Sequence, residues 1–227
     1  MKVVLVYIFP LAGGQGYREK ALQFVESYGR CPAGMDHDTV IVCNGAPHTP
    51  DAVSLFSGLP GLSFLEHDNS GWDIGGFQKA AREVPADLMV FCGGSAYFRI
   101  PGWLERMVQV FEELGDTLYG CTGHQGGGGV YPHVRTTGFW CRPGLLLNYP
   151  WLVLQPGTGG QRYAFEHGPN CMSNWLVSQG KIPWIVTANG CAPVHSCDGL
   201  PGGYHHGVQE NLLMGDRMCR PPFHHCE

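Results

Sequence analysis

The chain has 227 residues, 44 % of them hydrophobic and 15 % charged, with 34 glycines and 17 prolines. That length fits one α/β domain with a real core, and the glycine and proline content suits a loop-rich enzyme better than a helical bundle. A formal charge of −5 without any run of Lys or Arg argues against a nucleic-acid binder that tracks phosphates. No apolar stretch approaches the ~20 residues needed to span a bilayer.

Residues 3–8 form a continuous apolar, largely β-branched run, the pattern of a strand buried on both faces. The short apolar N-terminus lacks a small-residue cleavage site, so it reads as this strand and not as an export signal. A Gly-rich loop at 13–16 precedes a helix in which Ala21, Phe24, Val25 and Tyr28 recur at helical spacing. Residues 39–43 and 62–65 predict the second and third strands, 75–83 a helix, and 88–92 a fourth strand. Pro101 stands just before a helix whose Leu104, Met107, Val108 and Phe111 share one face. Alternating strands and helices build a parallel sheet with right-handed crossovers. Ligands of such sheets bind beyond the carboxyl ends of the strands, so Pro10, Asn44, the segment 67–73 and the segment 93–95 are the places to look.

The second half is less regular. Segments 118–122 and 138–141 are candidate strands, and four successive glycines at 126–129 predict a mobile loop. Residues 156–160 read as a further loop. Met172, Trp175 and Leu176 suggest a short helix closed by Gly180, and 182–187 a final strand. The His-rich tail from residue 199 reads as loop. Ten cysteines without an export signal, several in apolar runs (Cys43, Cys92, Cys141), read as buried free thiols in a reducing cytoplasm.

Several segments then matter together. Segment 39–47 is TVIVCNGAP, 69–77 is NSGWDIGGF followed by Ala80 and Ala81, and 86–92 is ADLMVFC. Segment 101–107 is PGWLERM, and Phe165-Glu166-His167-Gly168 precedes Trp175, Leu176, Gly180, Ile185 and Val186. In this order they resemble inverting nucleotide-sugar glycosyltransferases of the GT-A kind over roughly residues 1 to 190. Asn69 to Asp73 and Pro132 to Arg135 are similar to the branch that builds rhamnose- or galactofuranose-containing polysaccharides.

The resemblance implies an α/β Rossmann-like GT-A fold, a mostly parallel sheet flanked by helices in a single domain over 1–227. Residues 1–100 form its nucleotide-binding half, and 101–227 its acceptor-binding half and C-terminal loop. It implies transfer of a sugar from a nucleoside diphosphate sugar to a carbohydrate or glycolipid acceptor, with inversion, in polysaccharide biosynthesis. Such an enzyme works in the cytoplasm or at the periphery of a membrane. Pro10, Asn44, Asn69, Asp73, Gly94 and Ser95 are the expected nucleotide-sugar contacts, and His133 and Arg135 the expected acceptor contacts. Asp73 also suits a helix N-cap, and Asn44 followed by Gly45 also suits a turn.

Glu166 matches the family's acidic position and is the candidate general base that takes the acceptor hydroxyl's proton. His167 stands where a further aspartate is usual, as an alternative base or a ligand. The plainer reading of Glu166 is a helix N-terminal acid facing the dipole.

Gly93-Gly94-Ser95 occupies the place of the family's paired aspartates, which hold a divalent cation. A hard cation wants carboxylate oxygens, so the Mn or Mg ion the resemblance implies loses its ligands here, and the metal ligands are unknown. The same loss motivates a second reading, a non-catalytic sugar or nucleotide binder on the same fold. A third is a zinc-binding interaction module. Cys191, His195, Cys197, Cys219, His224, His225 and Cys226 have the ligand chemistry for it, but their spacing matches no standard zinc finger. His195 or His205 alone is a candidate to complete a donor-site metal.

Overall fold

The computed structural model describes residues 1–11, 15–126, 130–151, 159–196, 200, 203, 209 and 211–219, with Gln15 and residues 159–162 described for their backbone alone. The first strand, β1 (Val3–Phe9), is buried at all seven positions, as a run without polar alternation requires. Its side chains alternate between two cores. Leu5, Tyr7 and Phe9 join Ala21, Phe24, Phe56, Trp103, Leu104 and Met107 on one face. Val4, Val6 and Ile8 join Ile74, Phe77, Leu146, Phe165 and Leu176 on the other. Each fully buried aliphatic side chain is worth about 1.5–3 kcal/mol relative to exposure, so neither face can be turned to solvent.

The elements that follow are α1 (Gln15–Arg30), β2 (Asp38–Asn44), α2 (Pro50–Phe56), β3 (Ser63–His67), α3 (Trp72–Glu83), β4 (Leu88–Cys92), β5 (Tyr97–Phe98) and α4 (Trp103–Leu114). The second half adds β6 (Tyr119–Gly120), β7 (Gly123–His124), β8 (His133–Val134), β9 (Gly138–Cys141), α5 (Pro143–Leu147), α6 (Gly159–His167), α7 (Met172–Ser178), β10 (Trp184–Thr187), β11 (Gly190–Pro193) and β12 (Met214–Gly215).

Eight strands form the main sheet in the order β11-β10-β6-β9-β4-β1-β2-β3. β4, β1, β2 and β3 run parallel. β9 is antiparallel to both β4 and β6, β10 is parallel to β6, and β11 closes the edge as an antiparallel hairpin partner of β10. Helices cover both faces, so the expected α/β fold with a mostly parallel sheet is present. Tyr7 stacks on Phe24 with ring centroids 4.0 Å apart, and Phe98 on Trp103 at 4.1 Å. On the opposite face Phe91 stacks on Phe139 at 4.8 Å, tying β4 to the antiparallel β9.

Two expectations need correction, and α2 adds a helix between the second and third strands whose start carries a clear signal. Thr49 Oγ1 accepts from the Ala52 amide at 3.2 Å, and Pro50 opens the first turn. At seven residues the helix is too short for its periodicity to show. Gly159 and Gly160, expected in a loop, begin α6; the rest of that loop, 156–158, lies outside the described residues, as do glycines 127–129. Strand β10 is not the last. β11 follows it, and the tail returns as β12, pairing antiparallel with β5 and burying Leu212, Leu213 and Met214.

Eight cysteines among the described residues are free, all buried except the partly buried Cys191. Burial pushes the Cys43 thiol up to about 12, with the Glu66 charge adding to it. An un-ionised thiol is a poor nucleophile. Among the described residues, no helix is long and apolar enough to cross a membrane.

Candidate active site

Strand β1 has β2 on one side and β4 on the other. The crossovers leaving β1 and β3 therefore diverge, and a crevice opens at the carboxyl ends of β1 and β4. Pro10 and the turn at residues 93–96 meet there. Tyr7 Oη donates to the Gly94 carbonyl at 3.0 Å. The Gly93 amide donates to Thr137 O at 3.0 Å, and the Ala96 amide closes the turn on Gly93 O at 2.9 Å. A Cβ on Gly94 would lie 3.0 Å from Pro10 Cγ and 3.2 Å from Ile8 O. A side chain at 94 would thus be crowded, because two strand ends converge there.

This geometry bears on the divalent ion implied by the resemblance. The turn offers no carboxylate, and an aspartate at 94 would press on Pro10 and the β1 backbone. Asp216, from the tail, is a carboxylate joined to this turn through Thr137, since its Oδ2 accepts from Thr137 Oγ1 at 2.7 Å. That oxygen also faces Arg135 Nη1 at 2.9 Å, while Oδ1 accepts from the Met218 amide at 2.8 Å. Both oxygens are engaged, and the residues at the turn do not fit a donor-site cation.

One strand further out, Asn44 ends β2 with only 3 % of its surface exposed. The left-handed conformation of the turn falls on Gly45, at φ 91°, and not on Asn44. The Asn44 side-chain amide contacts His67 Nδ1 at 2.8 Å, and the Asn69 amide donates to the same nitrogen at 3.0 Å. Asn69 is itself left-handed, at φ 72°, which asparagine tolerates better than most residues. The loop then folds back on α3. A Cβ at Gly75 would run into the Ser70 carbonyl, so only glycine lets the loop lie there. Gly71, not Asp73, is the N-cap of α3, and Asp73 lies in the first turn, where a carboxylate favours the helix dipole. Beyond the ends of β2 and β3 is an open depression of about 590 Å³ bordered by Gly45, Pro47, His67, Ser70 and Lys79.

The opposite wall carries the titratable groups. Glu166 and His167 end α6, and His133 lies on the short β8. Glu166 is therefore at a helix C-terminus and not at the N-terminus that the plainer reading required. Its Oε1 accepts from the Thr136 amide at 2.9 Å and from Thr136 Oγ1 at 3.1 Å. Its Oε2 lies 3.2 Å from His167 Nε2. Burial raises this carboxyl's pKa, but the His167 contact and the Thr136 amide outweigh burial and hold it at about 2. His133 is 1 % exposed. Its Nδ1 meets the Tyr131 carbonyl at 2.7 Å, and its ring packs edge-on to His167 with centroids 4.5 Å apart. Burial pushes His133 down to about 4, although the Tyr131 carbonyl and Glu166 favour its protonation.

Of the expected acceptor contacts, His133 is thus enclosed in the protein, and Arg135 is engaged by Asp216. The two walls are linked through consecutive residues, since Thr136 holds Glu166 and Thr137 holds Gly93. Sequence reasoning passed over Asp216 because it lies in a stretch taken for loop. The apolar Leu212-Leu213-Met214 just before it was the available signal of a buried strand. His195, one of the candidate ligands in the tail, is exposed; Cys197, His205, His224, His225 and Cys226 lie outside the described residues.

No protein-family model matches the chain, and no curated protein sequence does. Solved structures share its fold. Residues 1–349 of S. aureus TarS in complex with UDP superpose with a TM-score of 0.53 at 13 % identity, over 73 % of this chain and 54 % of that one. Mouse xyloside xylosyltransferase 1 gives 0.52 at 10 % identity, over 82 % and 85 % of the two chains. A putative glucose-1-phosphate thymidylyltransferase from Bacillus anthracis, in complex with a sucrose, gives 0.50 at 14 % identity, over 79 % and 84 %. The chain has the GT-A fold, and it matches about half the length of the TarS fragment.

Proposed function

We propose that the chain transfers a sugar from a nucleoside diphosphate sugar to a carbohydrate or glycolipid acceptor, with inversion. The observation that carries this reading is the crevice between β1 and β4. On one side of it lies a glycine turn closed against Pro10, and on the other the Glu166–His167 pair, bridged by Thr136 and Thr137. TarS, whose structure holds UDP, and the xylosyltransferase use the same fold, and ligands of open α/β sheets bind at such a switch point.

In this reading Pro10, Asn44, Asn69 and Asp73 contact the nucleotide sugar, and the open depression at Gly45, His67 and Ser70 lies next in sequence to Asn44 and Asn69. Gly94 lets the diphosphate approach the backbone, and Ser95 supplies a hydroxyl beside it. The acceptor hydroxyl attacks the anomeric carbon as the bond to the diphosphate breaks, and the nucleoside diphosphate leaves. Glu166 and His167 activate that hydroxyl. A carboxyl held at about 2 is itself a weak base at neutral pH. The Glu166 contribution is to align His167, the more exposed of the pair at 26 % of its side chain against 9 %. His133 and Arg135 support this wall from behind, through the His167 ring and through Asp216.

The test is nucleoside diphosphate release by the purified protein from a panel of UDP-, GDP- and dTDP-sugars, with and without oligosaccharide acceptors. Acceptor-dependent release supports transfer. Saturable binding of the same donors without release points to the non-catalytic binder. Pyrophosphate release from a nucleoside triphosphate and a sugar 1-phosphate would instead place the chain with the thymidylyltransferase that shares its fold.

A further inference from the structure

We infer that His133, Glu166 and His167 form a binding site for one divalent transition-metal ion, of the zinc type. Among the described residues, these three each bring a ligand atom within 4.8 Å of the other two. The set is two imidazoles and one carboxylate, which suits a borderline ion better than magnesium or calcium. It is also distinct in place from the β4 turn, which offers a cation no carboxylate of its own.

Three details of the geometry support the site. The first is His133. Its Nδ1 is committed to the Tyr131 carbonyl at 2.7 Å as the donor, which leaves the lone pair on Nε2. That nitrogen is buried without a hydrogen-bond partner, on a side chain 1 % exposed. A buried imidazole nitrogen left unpaired costs free energy, and metal-ligating histidines are commonly fixed by a backbone carbonyl on the other nitrogen. The second is Glu166, whose Oε1 is held by Thr136 while Oε2 remains for the cluster. The third is spacing. Glu166 Oε2 and His167 Nε2 are 3.2 Å apart. Two ligands bound to one zinc ion at ~2.0–2.1 Å with a tetrahedral angle lie ~3.3 Å apart. The widest pair must close by about 1.5 Å, a movement open to His167 at the end of α6. Its Nδ1 is also without a partner, so turning that ring breaks no bond at Nδ1.

Three protein ligands leave a fourth position open, the arrangement of catalytic and not structural zinc. An oxygen ligand placed there, such as the acceptor hydroxyl, becomes more acidic on the ion. Activation would then come from the ion, with Glu166 and His167 acting as its ligands and not as the aligned base. This catalytic role rests on the transferase reading above, whereas the binding of the ion does not.

The experiment is cobalt titration of chelator-treated, untagged full-length protein, followed by visible ligand-field absorption, with no donor or acceptor present. One equivalent should bind with the intense bands of a four- or five-coordinate site, and zinc should displace it and raise the melting temperature. His133→Asn and Glu166→Gln should each weaken binding by more than about 100-fold, beyond the 10–100-fold that loss of a supporting partner costs. Thr136→Val, which removes a support of Glu166, should fall within that lower range. Circular dichroism and melting of the apo variants verify folding. Failure of the wild-type protein to bind one equivalent overturns the proposal without reference to any variant. So does unchanged binding in folded His133→Asn and Glu166→Gln proteins, or loss of binding on replacing Cys219, His224, His225 and Cys226 together. Stoichiometric metal without sugar transfer would refute the transferase reading and leave this site standing; transfer by metal-free protein would overturn the ion's catalytic role and leave its binding to the titration.

Discussion

The two walls of the crevice are built on opposite plans. The β1–β4 wall is made of backbone, with Gly94 packed so closely on Pro10 and Ile8 that a side chain there would make its neighbours shift. The wall across from it is made of side chains, with His133, Glu166 and His167 gathered from β8 and the end of α6. Parallel strands buried on both faces can deliver a backbone edge with precision, because their register is fixed along their length. Short strands and helix ends can aim imidazoles and carboxylates, but they need cross-braces such as Thr136 to hold them. In the proposed reaction the first wall meets a diphosphate and the second a hydroxyl.

Breaking the side-chain wall should have the largest effect. His167→Asn removes the proton acceptor, and acceptor-dependent turnover should fall by roughly 10²–10⁴-fold with donor affinity little changed. Glu166→Gln keeps size but removes the charge that aligns His167, and should lose turnover to a smaller extent. If either protein is folded and fully active in steady-state assays, that wall is scaffolding and not machinery.

Loosening the brace behind it comes next. Asp216→Asn leaves Arg135 facing a neutral partner, and breaking a buried ion pair costs about 3–5 kcal/mol, less here because Arg135 reaches solvent. Burial raises the Asp216 pKa, but the Arg135 charge and the Thr137 hydrogen bond outweigh it and hold it below the ordinary carboxylate value. A depressed folded pKa means the contribution is complete above about pH 3.9 and is lost as pH falls below it. The melting-temperature gap between wild type and Asp216→Asn should therefore be wide near pH 7 and close in strong acid. A gap that stays constant across that range would show that the carboxylate charge is not what holds the tail.

The backbone wall can be attacked at Gly94. Gly94→Asp places an acid at the turn, yet it should cost about 1–3 kcal/mol by overpacking against Pro10. It should not create manganese binding by calorimetry. A stable Gly94→Asp protein that binds manganese tightly would mean the crevice is looser than its packing implies. The smallest effect is expected of Asp73→Ala. It should weaken nucleoside diphosphate affinity by about 10-fold, near the worth of one hydrogen bond to a charged group, with unchanged melting. Unaltered affinity would remove Asp73 from the donor site.

The backbone wall was the more legible of the two in the sequence. Residues 3–8, 39–43 and 88–92 are apolar runs that admit hardly any other reading, and the rule for ligand position then points to Pro10, Asn44 and Gly94. Glu166 and His167 were singled out through likeness to a family segment, but their meeting with His133 was not foreseen. Thirty-three residues separate His133 from Glu166, and no periodicity links β8 to α6. Asp216 was missed for a related reason: β12 is two residues long and its partner β5 is too, so neither has a pattern to read. The missing α2 shows a different limit, since its capping threonine and proline were visible and only its length hid it.

The reversed direction of β9 has a consequence for how such a site can change. A strand that runs against its neighbours begins at the end where they finish. Thr136 and Thr137 therefore enter the crevice from the start of β9, while Pro10 and Gly94 enter it from the finish of β1 and β4. The chain between β6 and β9 is in effect a separate inlet. Insertions or exchanges there can remodel the side-chain wall while leaving the glycine turn and the strands that carry it unchanged.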